Sequence, residues 1–591
     1  MTKKWSVLVG LVLATSMVLS ACGGGNNNAA SSNAPASANA SNAGESASTE
    51  ASASTDANDP AGNANGVIKA SDMSLLPASA AARKDTLIVG MTAPQGIFNP
   101  LFSSTVYDNY VNDVIFDYFI TVKADGTYEN SLADSVEITN DNKTYTYHLK
   151  QGVKYTDGTP VTVKDYYFAL KVYLDPKYDG ESDLTLAKIV GSDEYKNGSA
   201  TEISGVKIID DNTIQIDVSD YDAMTQVYLG TIPFISEAYY GKGFKKGSLD
   251  SIKALNTKPL GSGPYVLSSY KAGQEVDFTA NDSYFKGAPK VKNMIYRTTT
   301  DGTNLSLIQS GETDMDNITV TEDNVEELKA MGFVDVNILP NNGYGYIGMN
   351  LKEKKFADQK VRQALTYGLN RKDIVEGVYG SYANVIDIPE SKVSWAYTDE
   401  GINHYDFDTE KAKQLLDEAG WKVGSDGIRE KDGEKFVINF SATADNPVVD
   451  ALLPIMTQNY KDLGIDLKAE TLDFNAIMEK ADKGDYDMYF AAWGLTPDPD
   501  NTVYITNGAQ NRFGYSNATV DKLMAEGRKE LDTEKRKEIY KQMYQELNKD
   551  VPAIFMYQRT NMYGISGRVT GFDLSPYKDF DLSLYQVQLQ Q

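Results

Sequence analysis

Side chains able to do chemistry are few in this chain of 591 residues. One cysteine, Cys22, and two histidines, His148 and His404, leave nothing from which to build a disulfide framework or a histidine-rich zinc site. There is no Gly-x-Ser-x-Gly elbow, no His-Glu-x-x-His pair and no phosphate loop ending in Gly-Lys-Ser/Thr. Asp498 and Asp500 stand two positions apart in one loop, which does not establish the carboxylate separation across a substrate that a glycosidase needs. An EF-hand beginning at Asp498 fails as well, because Val503 falls on the glycine position and Ala509 on the bidentate glutamate position. What remains is chemistry of binding. Asp485 to Asp500 reads as a buried strand that delivers Trp493 to a proline-rich loop holding Thr496, Asp498 and Asp500. The plain alternative for the two aspartates is a solvated turn pair.

Cys22 supports a covalent step. Lys3 and Lys4 form a positive n-region, and Trp5 to Leu19 form an apolar run short of the roughly 20 residues that span a membrane, so residues 1–21 read as a cleaved secretion signal. Leu19-Ser20-Ala21-Cys22 resembles a bacterial lipobox. The resemblance implies cleavage before Cys22, a diacylglycerol thioether on its sulfur and acylation of the new amino terminus. An ordinary signal peptide followed by a chance cysteine is the plain alternative. From Gly23 the chain turns to Gly, Asn, Ser, Ala and Thr, with no aromatic residue and no apolar periodicity until Val67. Such a segment cannot offset its ordering entropy. Residues 22–82 therefore read as a tether, about 60 residues reaching ~40 Å on average.

The folded part starts near Asp85 and leaves enough chain for two or three cores. Formal charge is −26, and removal of residues 1–21, with Lys3 and Lys4 their only charges, takes it to −28. Nucleic acid and anionic lipid surfaces should repel such a domain, so membrane contact is expected through the lipid anchor only.

Positioning elements follow from periodicity. Val136 to Ile138 is answered by Tyr145 to Leu149, and Val206 to Ile209 by Ile214 to Val218, each pair alternating on either side of an Asp/Asn turn. Val361, Ala364, Leu365, Gly368 and Leu369 share a helix face within Ala357 to Leu369. Asp408 is placed to cap a helix that runs through Ala412, Leu415 and Leu416 to a stop at Gly420, and a further helix starts at Asp532. Interleaved strands and helices are the α/β signature. His148 falls in an alternating strand and His404 in a polar loop, both ordinary packing or surface positions.

These segments carry a resemblance to the solute-binding proteins of peptide and nickel ABC importers, extracellular solute-binding family 5. It rests on Ile97-Phe98-Asn99-Pro100, Leu132-Ala133-Asp134-Ser135 and the long block from Tyr145 to Asp165. Gly261-Ser262-Gly263-Pro264-Tyr265, Asn281 to Gly287, Val361 to Leu365 with Asn370-Arg371, and Ala419-Gly420-Trp421 follow in the family's order. Most of these residues read as structural. Asp157-Gly158-Thr159-Pro160 suits a turn, Gly261 and Gly263 permit a close approach, and Arg362 is expected to pair with a carboxylate that pins its helix.

The resemblance implies an α/β, two-lobed periplasmic-binding-protein-like fold of type II, in its large three-domain form, with a cleft between lobes. Domain I would be discontinuous, about 83–115, 239–340 and 556–591, with domain II about 116–238 and domain III about 341–555. The implied role is a monomeric binding lipoprotein, not an enzyme and without cofactor or metal. It would capture oligopeptides outside the membrane, on a Gram-positive surface or in a periplasm, and deliver them to ABC permease subunits. The alternatives are the same role for a non-peptide solute such as an oligosaccharide, or an extracellular hydrolase. Carried over by position, the ligand-binding candidates are Trp493, Ser104, Thr105, Tyr107, Tyr344, Tyr346 and Tyr557. The family also places an acidic anchor for a peptide α-ammonium three residues after the tryptophan. Thr496 occupies that position here, leaving Asp498 or Asp500 as substitutes.

Overall fold

Both expected hairpins form, and they join edge to edge. In the computed structural model, which describes residues 66–499 and 502–590, Ala133–Thr139 pairs with Thr144–Leu149, and Val206–Asp210 with Thr213–Asp217. Thr144–Leu149 and Thr213–Asp217 pair in turn, closing a four-stranded antiparallel sheet. Its alternation buries Tyr145, Tyr147, Leu149, Ile214 and Ile216 on one face. Tyr147 stacks there on Phe119, ring centroids 4.5 Å apart, and Phe119 meets Tyr166 of the helix Val163–Tyr173. The first hairpin turns through Asn140, Asp141 and Asn142, all at positive φ, a conformation that Asn and Asp tolerate better than other side chains. Gly158, at φ +87°, makes the tight turn before that helix. Thr162 and Asp165 then close a capping box at its start.

A larger mixed sheet forms the backbone of the molecule. Its strands run in the order Asp466–Leu472, Val437–Thr443, Met488–Gly494, Gly343–Met349, Ala553–Ser566, Met315–Ile318, Thr86–Met91, Asn293–Thr298, Glu275–Ala280 and Tyr265–Lys271. The long strand Ala553–Ser566 belongs to both halves of it. Its first residues pair with Gly343–Met349, and from Thr560 to Ser566 it pairs with Val334–Pro340. Asn341 and Asn342 form the second crossing, between Val334–Pro340 and Gly343–Met349. Two adjacent crossings of this kind are the geometry on which two lobes can hinge.

Helix ends follow local chemistry. Asp408 accepts from the Lys411 N–H at 2.8 Å, and Asp532 caps Thr533–Asp550 in the same way. A Cβ on Gly261 would lie 1.9 Å from the Ile115 carbonyl oxygen, so no other residue fits that approach. The structure corrects one expectation. Arg362 does not pin its helix through a carboxylate: its guanidinium donates to the backbone carbonyls of Asp550, Val551, Phe356 and Ala357. A planar fork inside the core can saturate on carbonyls where chain ends converge, with no counter-charge in contact.

Candidate functional site

Met488–Gly494 is the element that positions Trp493. Its neighbour on one side is Gly343–Met349, with Tyr344 opposite Trp493 and Tyr346 opposite Ala491. On its other side Val437–Thr443 pairs only with Met488 and Tyr489. Beyond Tyr489 the strand is therefore laddered on one edge alone, and it ends with Ala492 and Gly494 exposed. An unpaired strand edge beside an indole is a ready acceptor for an extended chain.

Packing beneath the indole is aromatic. Trp493 stacks nearly parallel to Tyr346, at 6.2 Å and 9°, and the Arg512 guanidinium lies 5.8 Å from the indole centroid. The Tyr346 and Tyr489 hydroxyls are hydrogen-bonded at 3.2 Å, and those of Tyr344 and Tyr504 at 2.9 Å. Tyr344 and Tyr346 are buried, so they support the wall that Trp493 faces outward from. Tyr557 is buried too, its ring 5.1 Å from that of Tyr379. The Trp493 Nε1–H is shielded from water and meets no acceptor. A buried donor left unmade is costly, and an incoming acceptor would relieve it.

The loop after Trp493 is arranged otherwise than its sequence implies. The Thr496 hydroxyl donates to the Asp498 carbonyl at 2.6 Å. Both oxygens of the Asp498 carboxylate accept from Arg536, at 2.7 and 2.6 Å, in a bidentate pair whose arginine is buried. Asp500 lies outside the described residues, as do Cys22 and the expected signal and most of the tether.

Opposite this wall stand Ser104, Thr105 and Tyr107. Ser104 is exposed. Thr105 is buried and caps the helix Val106–Asp113, accepting from the Asp108 N–H and donating to its carboxylate at 2.7 Å. Tyr107 is half-buried and meets the edge of Phe474 at 6.1 Å. Further contacts link the same two sides. Gln95 donates to Asn475 at 3.0 Å, Arg512 bridges Glu181 and Asp482, the Ala223 N–H donates to the Arg528 carbonyl at 2.7 Å, and Tyr577 donates to the Val393 carbonyl at 2.7 Å. The sides of the cleft are thus in contact. Burial pushes the Glu181 carboxyl up, and the Arg512 charge pulls against it. Sequence reading missed Arg512, Arg536, Glu181 and Phe474. The two arginines' only signal was the scarcity of arginine in so acidic a chain, and Glu181 and Phe474 carried none.

A two-lobed α/β fold hinged on paired crossings defines a class of extracytoplasmic binding proteins. The chain belongs to the bacterial extracellular solute-binding proteins, family 5, whose model matches residues 127–514. It is a binding protein of the outside-facing compartment and not an enzyme. Among its relatives is the oligopeptide-binding protein AppA of Bacillus subtilis, 29% identical over 514 residues, covering 85% of this chain and 90% of that protein. Another is the heme-binding protein A of Haemophilus influenzae, 28% identical over 508 residues, covering 82% and 89%. The solved structure of Bacillus subtilis AppA with a nonapeptide superposes with a TM-score of 0.79 at 26% identity, covering 86% of this chain and 99% of that one. Lactococcal OppA with an endogenous peptide, in its closed conformation, shares the fold with a TM-score of 0.77 at 21% identity, covering 85% and 99%.

Proposed function

We propose that this chain is the receptor of an ABC importer, held at the outer membrane face by a diacylglyceryl group on Cys22, and that it captures oligopeptides between its lobes for delivery to the permease. Supporting this is the strand edge at residues 490–494, open for main-chain pairing beside the unsatisfied Trp493 Nε1–H. The name of the Bacillus subtilis relative points the same way. In this reading the lobes divide near residues 340 and 556, with domain I at about 83–115, 239–340 and 556–591, domain II at about 116–238 and domain III at about 341–555. Trp493 and Tyr107 are its contact residues, Ser104 and Thr496 lie at its rim, and Thr105, Tyr344, Tyr346 and Tyr557 hold the walls. Ligand contacts made with both lobes at once stabilise the closed form over the open one.

A second reading has its own observation. With Thr496 at the usual anchor and Asp498 engaged by Arg536, neither supplies a free carboxylate for an α-ammonium. That favours long internal peptide segments, or a non-peptide solute such as an oligosaccharide. Denaturing the purified protein and weighing the released solute by mass spectrometry decides between them. Peptide masses are expected, and a carbohydrate series would overturn the peptide reading.

A further inference from the structure

The last turn of the helix Ala518–Lys529 carries two consecutive cations, Arg528 and Lys529, and both meet a segment built on a different core. Val520, Leu523 and Met524 of that helix pack with Tyr504, Tyr540 and Phe555, whereas Tyr221, Tyr228 and Leu229 pack with the core of Phe119 and Tyr147. The contact between residues 220–229 and 528–529 therefore runs from one lobe to the other in the division proposed above. The Ala223 N–H donates to the Arg528 carbonyl at 2.7 Å. The Arg528 guanidinium donates to the Tyr228 hydroxyl at 2.6 Å and lies 5.7 Å from the centroid of that ring. Lys529 pairs with Asp220, donates to the Tyr221 carbonyl at 3.0 Å and stands 5.7 Å from the Tyr221 ring. Burial pushes the Asp222 carboxyl up, and the Arg528 charge pulls it back.

These contacts are unequal. The Lys529 and Asp220 side chains are 40% and 41% exposed, and Lys188 shares the same carboxylate, so that pair contributes little. Arg528 is buried, and its contacts carry the weight. The last carbonyls of a helix find no acceptor role inside it and take a donor from outside, at an end whose dipole also favours cations. Here the Gly527 carbonyl takes Arg536 from its own lobe, and the Arg528 carbonyl takes Ala223 from the other. None of these contacts passes through Trp493, Tyr107, Thr496 or Asp498, so they do not depend on what the cleft holds. Arg512 differs. It also bridges the two sides, but it faces Trp493 and so belongs to the solute wall.

We propose that Arg528 and the segment 220–229 form a latch that closes the lobes independently of solute, and that Arg528 is a positioning residue which sets how long a captured solute is held. The latch deepens the receptor reading above, on which it rests only for the nature of what is captured. With part of the closing free energy supplied by the protein, a solute need supply less of it, which suits a receptor with Thr496 at the usual ammonium anchor.

The test uses the full chain, unfolded and refolded to strip endogenous solute. Hydrogen exchange at the Ala223 amide, resolved by fragmentation in a mass spectrometer, reads the latch directly, because that N–H donates across the lobes. In solute-free wild type it should exchange at least about tenfold more slowly than an open loop amide. Release is read by loading an isotope-labelled pool of randomised nonapeptides, chasing with unlabelled pool and following the bound mass. Arg528→Gln should lose the Ala223 protection in the solute-free chain and release peptide roughly ten- to a hundredfold faster, with its thermal midpoint within a few degrees of wild type. Tyr228→Phe, which removes one hydroxyl from the opposite lobe, should speed release several-fold in the same direction, and Lys529→Gln should change it less than about threefold. An unprotected Ala223 amide in solute-free wild type would overturn the latch and leave the receptor reading standing, and needs no variant. Protection and release that are both unchanged in Arg528→Gln and Tyr228→Phe would overturn it as well. Retention of no peptide would overturn the peptide reading alone, and the Ala223 protection, present in wild type and lost in Arg528→Gln, would still establish the latch.

Discussion

Asp498→Asn separates a structural carboxylate from a ligand-reading one. Two short charge-assisted bonds, at 2.6 and 2.7 Å, join this carboxylate to Arg536. The arginine side chain is 6% exposed and the aspartate 20% exposed, so water substitutes poorly for a lost partner. Breaking a fully buried pair from one side costs about 3–5 kcal/mol, and leaving an exposed one about 0–1. Asparagine keeps one acceptor oxygen, and the aspartate is partly wet, so a loss of about 2–3 kcal/mol of folding stability is expected. Arg536 also lies over Trp395, 4.9 Å from its ring, and donates to the Gly527 carbonyl, so it stays in place after the change. Urea denaturation followed by tryptophan fluorescence measures the loss. Asp498→Asn with Arg536→Gln should cost less than the sum of the two single changes, because both remove one contact. In parallel, calorimetry with a pool of free-amine nonapeptides and its N-acetylated counterpart should give equal affinities for wild type and variant. The reasoning is refuted if Asp498→Asn keeps full stability and loses affinity for free-amine peptides alone, since that carboxylate would then be reading an ammonium.

Three further outcomes are expected. Trp493→Ala should weaken solute binding by roughly 1–3 kcal/mol and leave the unfolding midpoint nearly unchanged, as measured by calorimetry and circular dichroism, because the indole caps rather than fills the tyrosine layer below it; equal affinity would remove Trp493 from the site. Cys22→Ala should abolish incorporation of labelled fatty acid, and label retained by the variant would defeat the lipid-anchor reading. Glu390 is buried, accepts from Tyr544, and is pushed by burial up to about 7 from 4.5. The folded chain therefore keeps a proton that the unfolded chain releases between those values, so this residue's contribution to stability falls as pH rises through that window. Glu390→Gln should accordingly gain about 3 kcal/mol over wild type at pH 8 and little at pH 4.5. A gain independent of pH, from urea curves at both values, would contradict the buried-proton account.

Much of the fold was legible in the chain because its determinants are local. Asp408 and Asp532 cap helices through N–H groups three residues on, Thr162 and Asp165 close a box over the same span, and each hairpin finds its partner across a short turn. The family signature and Trp493 were readable for the same reason, as short ordered motifs. Which polar group meets which was decided by the tertiary structure alone. Arg536 reaches Asp498 across 38 positions, Arg362 finds carbonyls at Asp550 and Val551 where a carboxylate was expected, and Tyr344 and Tyr346 lie under Trp493 where a solvent-facing wall was expected. Arg362 and Asp498 look equally free to find an ion partner in one dimension. Among the described residues only the folded chain brings a counter-charge to Asp498 and none to Arg362, because ion pairing is set by distances of a few ångströms between segments whose approach depends on the packing of whole lobes.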